Sequence, residues 1–263
     1  MATFLETVVE RTEAQLARRK REVPAADLER RLGPVRRGRP FSEALVDEGI
    51  ALIAEMKRAS PSRGPIRPGA SVTEVVRAYE TGGAAACSVL TEPEHFGGSL
   101  DDLAEAREAT SLPLLRKDFL VDEYQLLEAR VAGADAVLLI VAALGRRRLS
   151  RLAATAGDLG MDSLVEVHDE EEIAAAIDAG AEVIGINNRD LHSLEVDLET
   201  TFRLLADVPA GTVVVAESGI TRHDDVRALE DAGVDGILVG EALMRADDPA
   251  QAIRSLMGGS SQP

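Results

Sequence analysis

Apolar and polar positions follow two periods along this chain, and the period switches at regular intervals. Over residues 4–21 the apolar residues Phe4, Leu5, Val8, Val9 and Leu16 share one helical face, and the segment ends in the basic run Arg18-Arg19-Lys20-Arg21. Pro24 opens a second short helix through Leu32. Gly33-Pro34 and Gly38-Arg39-Pro40 break the chain after it, and residues 41–46 add a turn or two of helix. Strands begin only at residues 50–56. From there the pattern predicts helices over 72–79, 100–109, 123–132, 149–159, 170–179, 198–205 and 226–231. Strands alternate with them over 87–90, 114–116, 137–141, 164–167, 183–186, 213–216 and 237–239.

Helix and strand joined by short links imply a parallel sheet with crossover helices. An internal echo supports this. Gly82-Gly83-Ala84, Ala132-Gly133-Ala134, Ala179-Gly180-Ala181 and Ala232-Gly233-Val234 each end a helix and lead into an apolar strand, with glycine where a left-handed C-cap belongs. Roughly eight such units in 263 residues favour an α/β fold of the closed (β/α)8 TIM barrel type over an open doubly wound sheet. No Gly-x-Gly-x-x-Gly turn follows the first strand, which weakens a dinucleotide-binding reading. One barrel domain is expected over residues 1–263, with residues 1–48 as an N-terminal helical extension.

The first strand carries an anomaly. Glu55 and Lys57 interrupt its apolar run at alternate positions, which sends both side chains to one face. A charge pair in an apolar strand is a poor stabilising device, so it marks a site. In a barrel of this kind the C-terminal strand ends share the functional rim. Thr91 and Glu92, Lys117 and Asp118, Glu166 and His168, Asn187 and Arg189, Glu217 and Ser218, and Gly240 with Glu241 all fall there. Glu217-Ser218-Gly219-Ile220 and Val239-Gly240-Glu241-Ala242 close the last two strands, where backbone N–H groups of such barrels hold phosphate.

Composition sharpens this picture. The formal charge is −17 and Trp is absent, so nucleic acid is not an expected partner, while a pocket can still attract a small anion. Lys20, Lys57 and Lys117 are the only lysines. Two of them stand at strand ends, where lysines among carboxylates can serve as proton donors or anion anchors. The single Cys87 excludes an intrachain disulfide and suits a reduced, cytoplasmic setting; in an apolar run it is expected to be a buried hydrophobe. No segment is apolar for long enough to span a bilayer, so no membrane partner is expected. His95, His168, His192 and His223 are scattered singly and are expected at the surface or in loops, without a metal-ligand pattern. The rim chemistry points to acid–base work on a phosphorylated carbonyl or sugar.

At these positions the chain resembles indole-3-glycerol phosphate synthase. The likeness is carried by Glu55-Met56-Lys57-Arg58-Ala59-Ser60-Pro61-Ser62, Ser88-Val89-Leu90-Thr91-Glu92 and Leu115-Arg116-Lys117-Asp118-Phe119, and by Gly133 to Ile140, Ile186 to Leu191 and Glu217 to Ile220. It runs from about Ile50 to Met244 in the family's order. The resemblance implies conversion of carboxyphenylamino-deoxyribulose phosphate to indole-3-glycerol phosphate, with loss of carbon dioxide and water, in tryptophan synthesis. It implies no cofactor, no metal, a phosphorylated small-molecule substrate and a monomer.

By the same resemblance Lys117 is the general acid of ring closure, Glu166 handles protons in the dehydration, and Glu55 and Lys57 orient the reacting centre. Asn187, Glu217 and Ser218 orient substrate. Ser60, Ser62 and Arg189 frame the aromatic carboxylate. Phe96 and Phe119 wall the aromatic ring, with Leu138 and Leu194 beside it, and Gly219, Gly240 and Glu241 hold the phosphate. Two positions depart from the family's pattern. His95 replaces an aromatic before Phe96, and Ala242 replaces a hydroxyl residue. The helical segment is expected over the barrel mouth. A phosphoribosylanthranilate isomerase-like enzyme would not explain two strand-end lysines together with Glu166, and a noncatalytic sugar-phosphate-binding barrel would require dispensable rim groups.

Overall fold

The computed structural model describes residues 3–32, 38–46, 49–191 and 193–259. Eight parallel strands close into a barrel in which each pairs with its sequence neighbours: β1 (Ala51–Met56), β2 (Ala86–Leu90), β3 (Leu114–Lys117), β4 (Ala136–Ile140), β5 (Asp162–Val167), β6 (Val183–Asn187), β7 (Val213–Glu217) and β8 (Gly236–Val239). β8 returns to β1 with Ile53 opposite Leu238. The TIM barrel expected from the alternation is the fold observed.

Helices α1 (Phe4–Glu22) and α2 (Ala25–Leu32) precede the barrel, and α3 (Val72–Gly82), α4 (Leu100–Ala109), α5 (Glu123–Val131), α6 (Val141–Asp158), α7 (Glu170–Asp178), α8 (Glu199–Leu204) and α9 (His223–Asp231) pack around it. Local chemistry sets their ends. Ser71, Ser99, Asp122 and Asp169 cap helix N-termini with their side chains, and the recurrent Gly83, Gly133, Gly180 and Gly233 all take positive φ at the ends of their helices.

Period-two alternation places one set of side chains inside the barrel. Ile53, Leu115, Leu164, Val183, Val215 and Leu238 form an interior apolar cluster. Its lower end is closed by Phe41 and Leu45, both fully buried, from the segment between the N-terminal helices and β1. That segment is pinned by Arg39 and Ser42, whose backbone N–H groups donate to Asp135 and Asp162 at 2.8 Å each. One inward position above Ile53, Leu115, Leu164 and Val215 stand Glu55, Lys117, Glu166 and Glu217, and on β6 Asn187 follows Gly185 at the same rim. The apolar plug is thus the floor on which the polar rim stands.

The structure departs from the sequence pattern in three places. α6 begins at Val141, directly after β4, and Gly145 (φ 65°, ψ 161°) interrupts it. The run Val141 to Leu144 is apolar, so it continues the strand's signal although its backbone has already turned. Helices α10 (Glu241–Arg245) and α11 (Pro249–Leu256) close the chain around the barrel; α11 starts on an Asp248 cap with Pro249 in its first turn. Ala59–Ser60 and Gly64–Pro65 pair as a two-residue antiparallel ladder in the loop after β1.

Candidate active site

The C-terminal strand ends surround a cavity of about 620 Å³, a size that suits a small phosphorylated ligand. Every residue to which the resemblance gives a role lines it: Glu55, Lys57, Ser60, Ser62, Phe96, Lys117, Phe119, Leu138, Glu166, Asn187, Arg189, Leu194, Glu217, Ser218, Gly219, Gly240 and Glu241.

Lys117 is the hub. Its Nζ donates to Glu217 Oε2 at 2.7 Å and to Glu166 Oε2 at 3.3 Å. Burial disfavours the ammonium, but the charges of Glu217, Glu166 and Glu55 outweigh it and raise the pKa well above the ordinary lysine range. The two carboxylates diverge. Burial pushes Glu166 up, yet the Lys117 charge, His168 and Asn187 together hold it below the usual carboxylate range. Burial raises Glu217, and the charges of Glu166 and Glu55 add to it against the pull of Lys117, so it lies above that range. Beside them Lys57 Nζ sits 2.5 Å from Glu55 Oε1. Two ammonium groups and three carboxylates from β1, β3, β5 and β7 therefore meet in one pocket.

Two glycines make this crowding possible. A Cβ on Gly240 would overlap the Glu55 carboxylate, and one on Gly185 of β6 would overlap that of Glu217. Gly185 is silent in the sequence because an interior strand glycine has no signature apart from the side chain it faces.

The loops carry the remaining walls. Phe96 and Phe119 have ring centroids 6.4 Å apart, and Phe4 of α1 meets Phe119 edge-on at 6.4 Å. Phe4 also packs edge-on against His95 at 5.2 Å, so the departure at His95 is filled by a contact to the N-terminal helix. The helix does reach the barrel mouth. Ser218 (φ 68°) and Gly219 (φ 87°) take consecutive left-handed conformations after β7, strained for the serine. Asn188 fixes this turn by donating to Ser218 O at 3.1 Å while accepting from Thr201. Arg189 donates to Leu194 O at 2.9 Å, closing the β6 loop. Glu241 lies 3.4 Å from Arg63 and 3.1 Å from Arg245, two pocket-lining cations that strand-end spacing could not reveal.

Other strand-end residues serve the scaffold. Glu92 accepts from the backbone N–H groups of Glu94, His95 and Phe96 and so holds the loop that carries Phe96. Thr91 donates to Asp118 at 2.6 Å, and both bind the fully buried Arg116. His168 lies in the loop between β5 and α7, but not at the surface: its side chain is only 14% exposed and lies between Glu166 and Glu172. Nδ1 of His223 is 3.0 Å from the carbonyl of Leu256. His192 lies outside the described residues. Cys87 is buried, as expected.

Residues 5–256 match the family described as indole-3-glycerol phosphate synthase. The chain belongs to this family. It is 51% identical to indole-3-glycerol phosphate synthase 2 of Streptomyces coelicolor over 98% of this chain and 100% of that one. It is 46% identical to indole-3-glycerol phosphate synthase of Mycolicibacterium gilvum over 100% and 96% respectively. Among solved structures, thiamine phosphate pyrophosphorylase from Pyrococcus furiosus superposes with a TM-score of 0.62 at 22% identity, covering 83% of this chain and 96% of that one. That likeness concerns the barrel alone. Among the described residues no group of His, Cys, Asp and Glu is arranged to hold a metal ion, and no helix is long and apolar enough to cross a membrane.

Proposed function

We infer that the chain carries out the reaction of the indole-3-glycerol phosphate synthase family, a decarboxylating carbon–carbon lyase step of tryptophan biosynthesis. Its substrate is 1-(2-carboxyphenylamino)-1-deoxyribulose 5-phosphate. The observation that carries the residue roles is the position of Lys117, held between Glu217 and Glu166 on the floor of an apolar-walled cavity.

The aromatic ring would lie among Phe96, Phe119, Phe4 and Leu138, with its carboxylate framed by Ser60, Ser62 and Arg189 and Leu194 at the loop edge. The phosphate would sit on the backbone of Ser218, Gly219, Gly240 and Glu241. Ala242 offers no hydroxyl, which places the load on N–H donors and the nearby Arg63 and Arg245. The ring carbon bearing the carboxylate then attacks the ketone carbon of the sugar chain. Lys117 protonates the developing alkoxide. Such an oxygen is a stronger base than an amine, so the raised pKa of Lys117 still permits the transfer.

Carbon dioxide then leaves and restores aromaticity. In the dehydration the new hydroxyl departs as water with a proton from one of the two ammonium groups, and Glu166 removes a proton from the carbon next to nitrogen. Glu55 and Lys57 stabilise charge at the reacting centre, and Asn187, Glu217 and Ser218 orient the sugar chain. The reading carries with it a single barrel domain that works as a cytoplasmic monomer, a state in keeping with one buried cysteine and a pocket built within one chain. Sedimentation of the purified protein tests the monomer.

Fluorescence of the indole product tests the function directly. Purified protein should turn over the substrate, and Lys117→Arg should lower kcat by about 100-fold or more while leaving the melting temperature nearly unchanged. Near-normal turnover by that variant rejects the general-acid role.

A further inference from the structure

The two carboxylates on Lys117 differ in what stands behind them. Glu217 Oε1 has no hydrogen-bond partner and faces Gly185. Glu166 Oε1 instead lies 3.4 Å from His168 Nε2, an ion-pair distance without hydrogen-bond geometry. His168 is held in turn by Glu172 in the first turn of α7: Glu172 Oε2 accepts its backbone N–H at 2.8 Å and lies 3.0 Å from its ring Nδ1. Both ring nitrogens thus face carboxylate oxygens. A neutral imidazole has one N–H and cannot satisfy both, whereas the imidazolium has two.

The charges that reach His168 are Glu166 from β5 just before it and Glu172 from α7, with Lys117 of β3 beyond Glu166. Asp169, next in the chain, caps α7 by accepting from the Glu172 N–H, and Arg203 of α8 pairs with Glu170. Burial works against the imidazolium, but the Glu166 and Glu172 carboxylates beside its ring raise its pKa to about 10. The chain Glu172, His168, Glu166, Lys117, Glu217 therefore alternates in sign from the outer helix to the pocket.

We propose that His168 is a positioning residue of the reaction: clamped between Glu172 and Glu166, it keeps Glu166 oriented and charged as the resting base of the dehydration. It touches no substrate itself and acts through Glu166. Glu217, without such a backing, is left as the carboxyl of the pair that takes up a proton more readily. The proposal rests on the reaction assigned above, since it gives Glu166 its task.

Two measurements test it. Nitrogen-15 spectra of the histidine rings, assigned through His168→Gln, report the clamp without reference to activity. The His168 ring should remain an imidazolium at pH 8, and a neutral ring there overturns the proposal. Kinetics across pH then read the consequence. His168→Gln should lower kcat by about tenfold or more with KM little changed, and should move the acid limb of kcat upward by about one pH unit. Glu172→Gln should move it the same way by less, and carries the test if His168→Gln does not fold. A pH profile that superposes on that of the unaltered enzyme in the folded variants overturns the positioning role. An imidazolium at pH 8 in a protein that makes no indole product would instead overturn the assigned reaction while the clamp stands.

Discussion

Gly240 exists to make room for Glu55: a Cβ at position 240 would lie 3.0 Å from Glu55 Cβ and Cδ and would overlap Oε1. Gly240→Ala should therefore displace the Glu55–Lys57 pair. The expected cost is about 1–3 kcal/mol of stability, with kcat lower by about 100-fold because the reacting groups are misplaced. Gly185→Ala should act likewise through Glu217. Thermal melts and steady-state kinetics on both variants check this, and unchanged kcat would show that neither carboxylate needs its present position.

Glu217 carries a stability cost. Its folded pKa is raised by burial and by the neighbouring Glu166 and Glu55 against Lys117. By linkage, its contribution is favourable below the ordinary carboxylate pKa and is lost as pH rises toward the elevated folded value. Glu217→Gln should then be more stable than the unaltered protein at pH 8, by roughly 1 kcal/mol, and about equal to it at pH 4. Its turnover should fall sharply. Chemical denaturation at the two pH values measures the difference.

Arg116 stands next to Lys117 but points away from the pocket, with no exposed surface. It donates to Thr91 Oγ1 at 3.0 Å, Gln125 O at 2.7 Å and Asp118 Oδ2 at 2.9 Å, and lies 3.7 Å from Glu128. Arg116→Met would leave the part-buried Asp118 to Thr91 and the Phe119 N–H and the buried Glu128 to Arg19, at an expected cost of about 3 kcal/mol. Arg116→Lys should rescue little, since an ammonium cannot reproduce the planar fork. Urea midpoints of the two variants provide the check.

Cys87 lies on the outer face of β2 with no exposed surface, and burial pushes its thiol pKa up. A disulfide reagent should fail to label the folded protein at pH 8 and should titrate one thiol per chain in denaturant. Rapid labelling of native protein would contradict the burial.

Much of this was legible in the chain itself, for reasons that can be named. The barrel comes from alternation of two hydrophobic periods with glycines at helix ends, and both signals are local. The charged floor is legible because Glu55, Lys117, Glu166 and Glu217 each break an apolar strand at its end. Three things were hidden because they depend on what faces a residue across the fold. Gly185 matters only because Glu217 projects over it, His168 only because Glu172 in the first turn of α7 reaches back to it, and Phe4 only because α1 begins against Phe119. Glu92 and Asp118 misled for the complementary reason: a carboxylate at a strand end looks the same whether it meets a ligand or the backbone of its own loop. Arg63 and Arg245 come from a loop and a short helix with no periodic signal to mark them.

The third ring at the cavity entrance comes from Phe4, the first residue of α1. Any purification handle joined ahead of Phe4 would emerge beside the opening through which substrate must pass. A handle at that terminus would be expected to depress apparent affinity until a protease removes it.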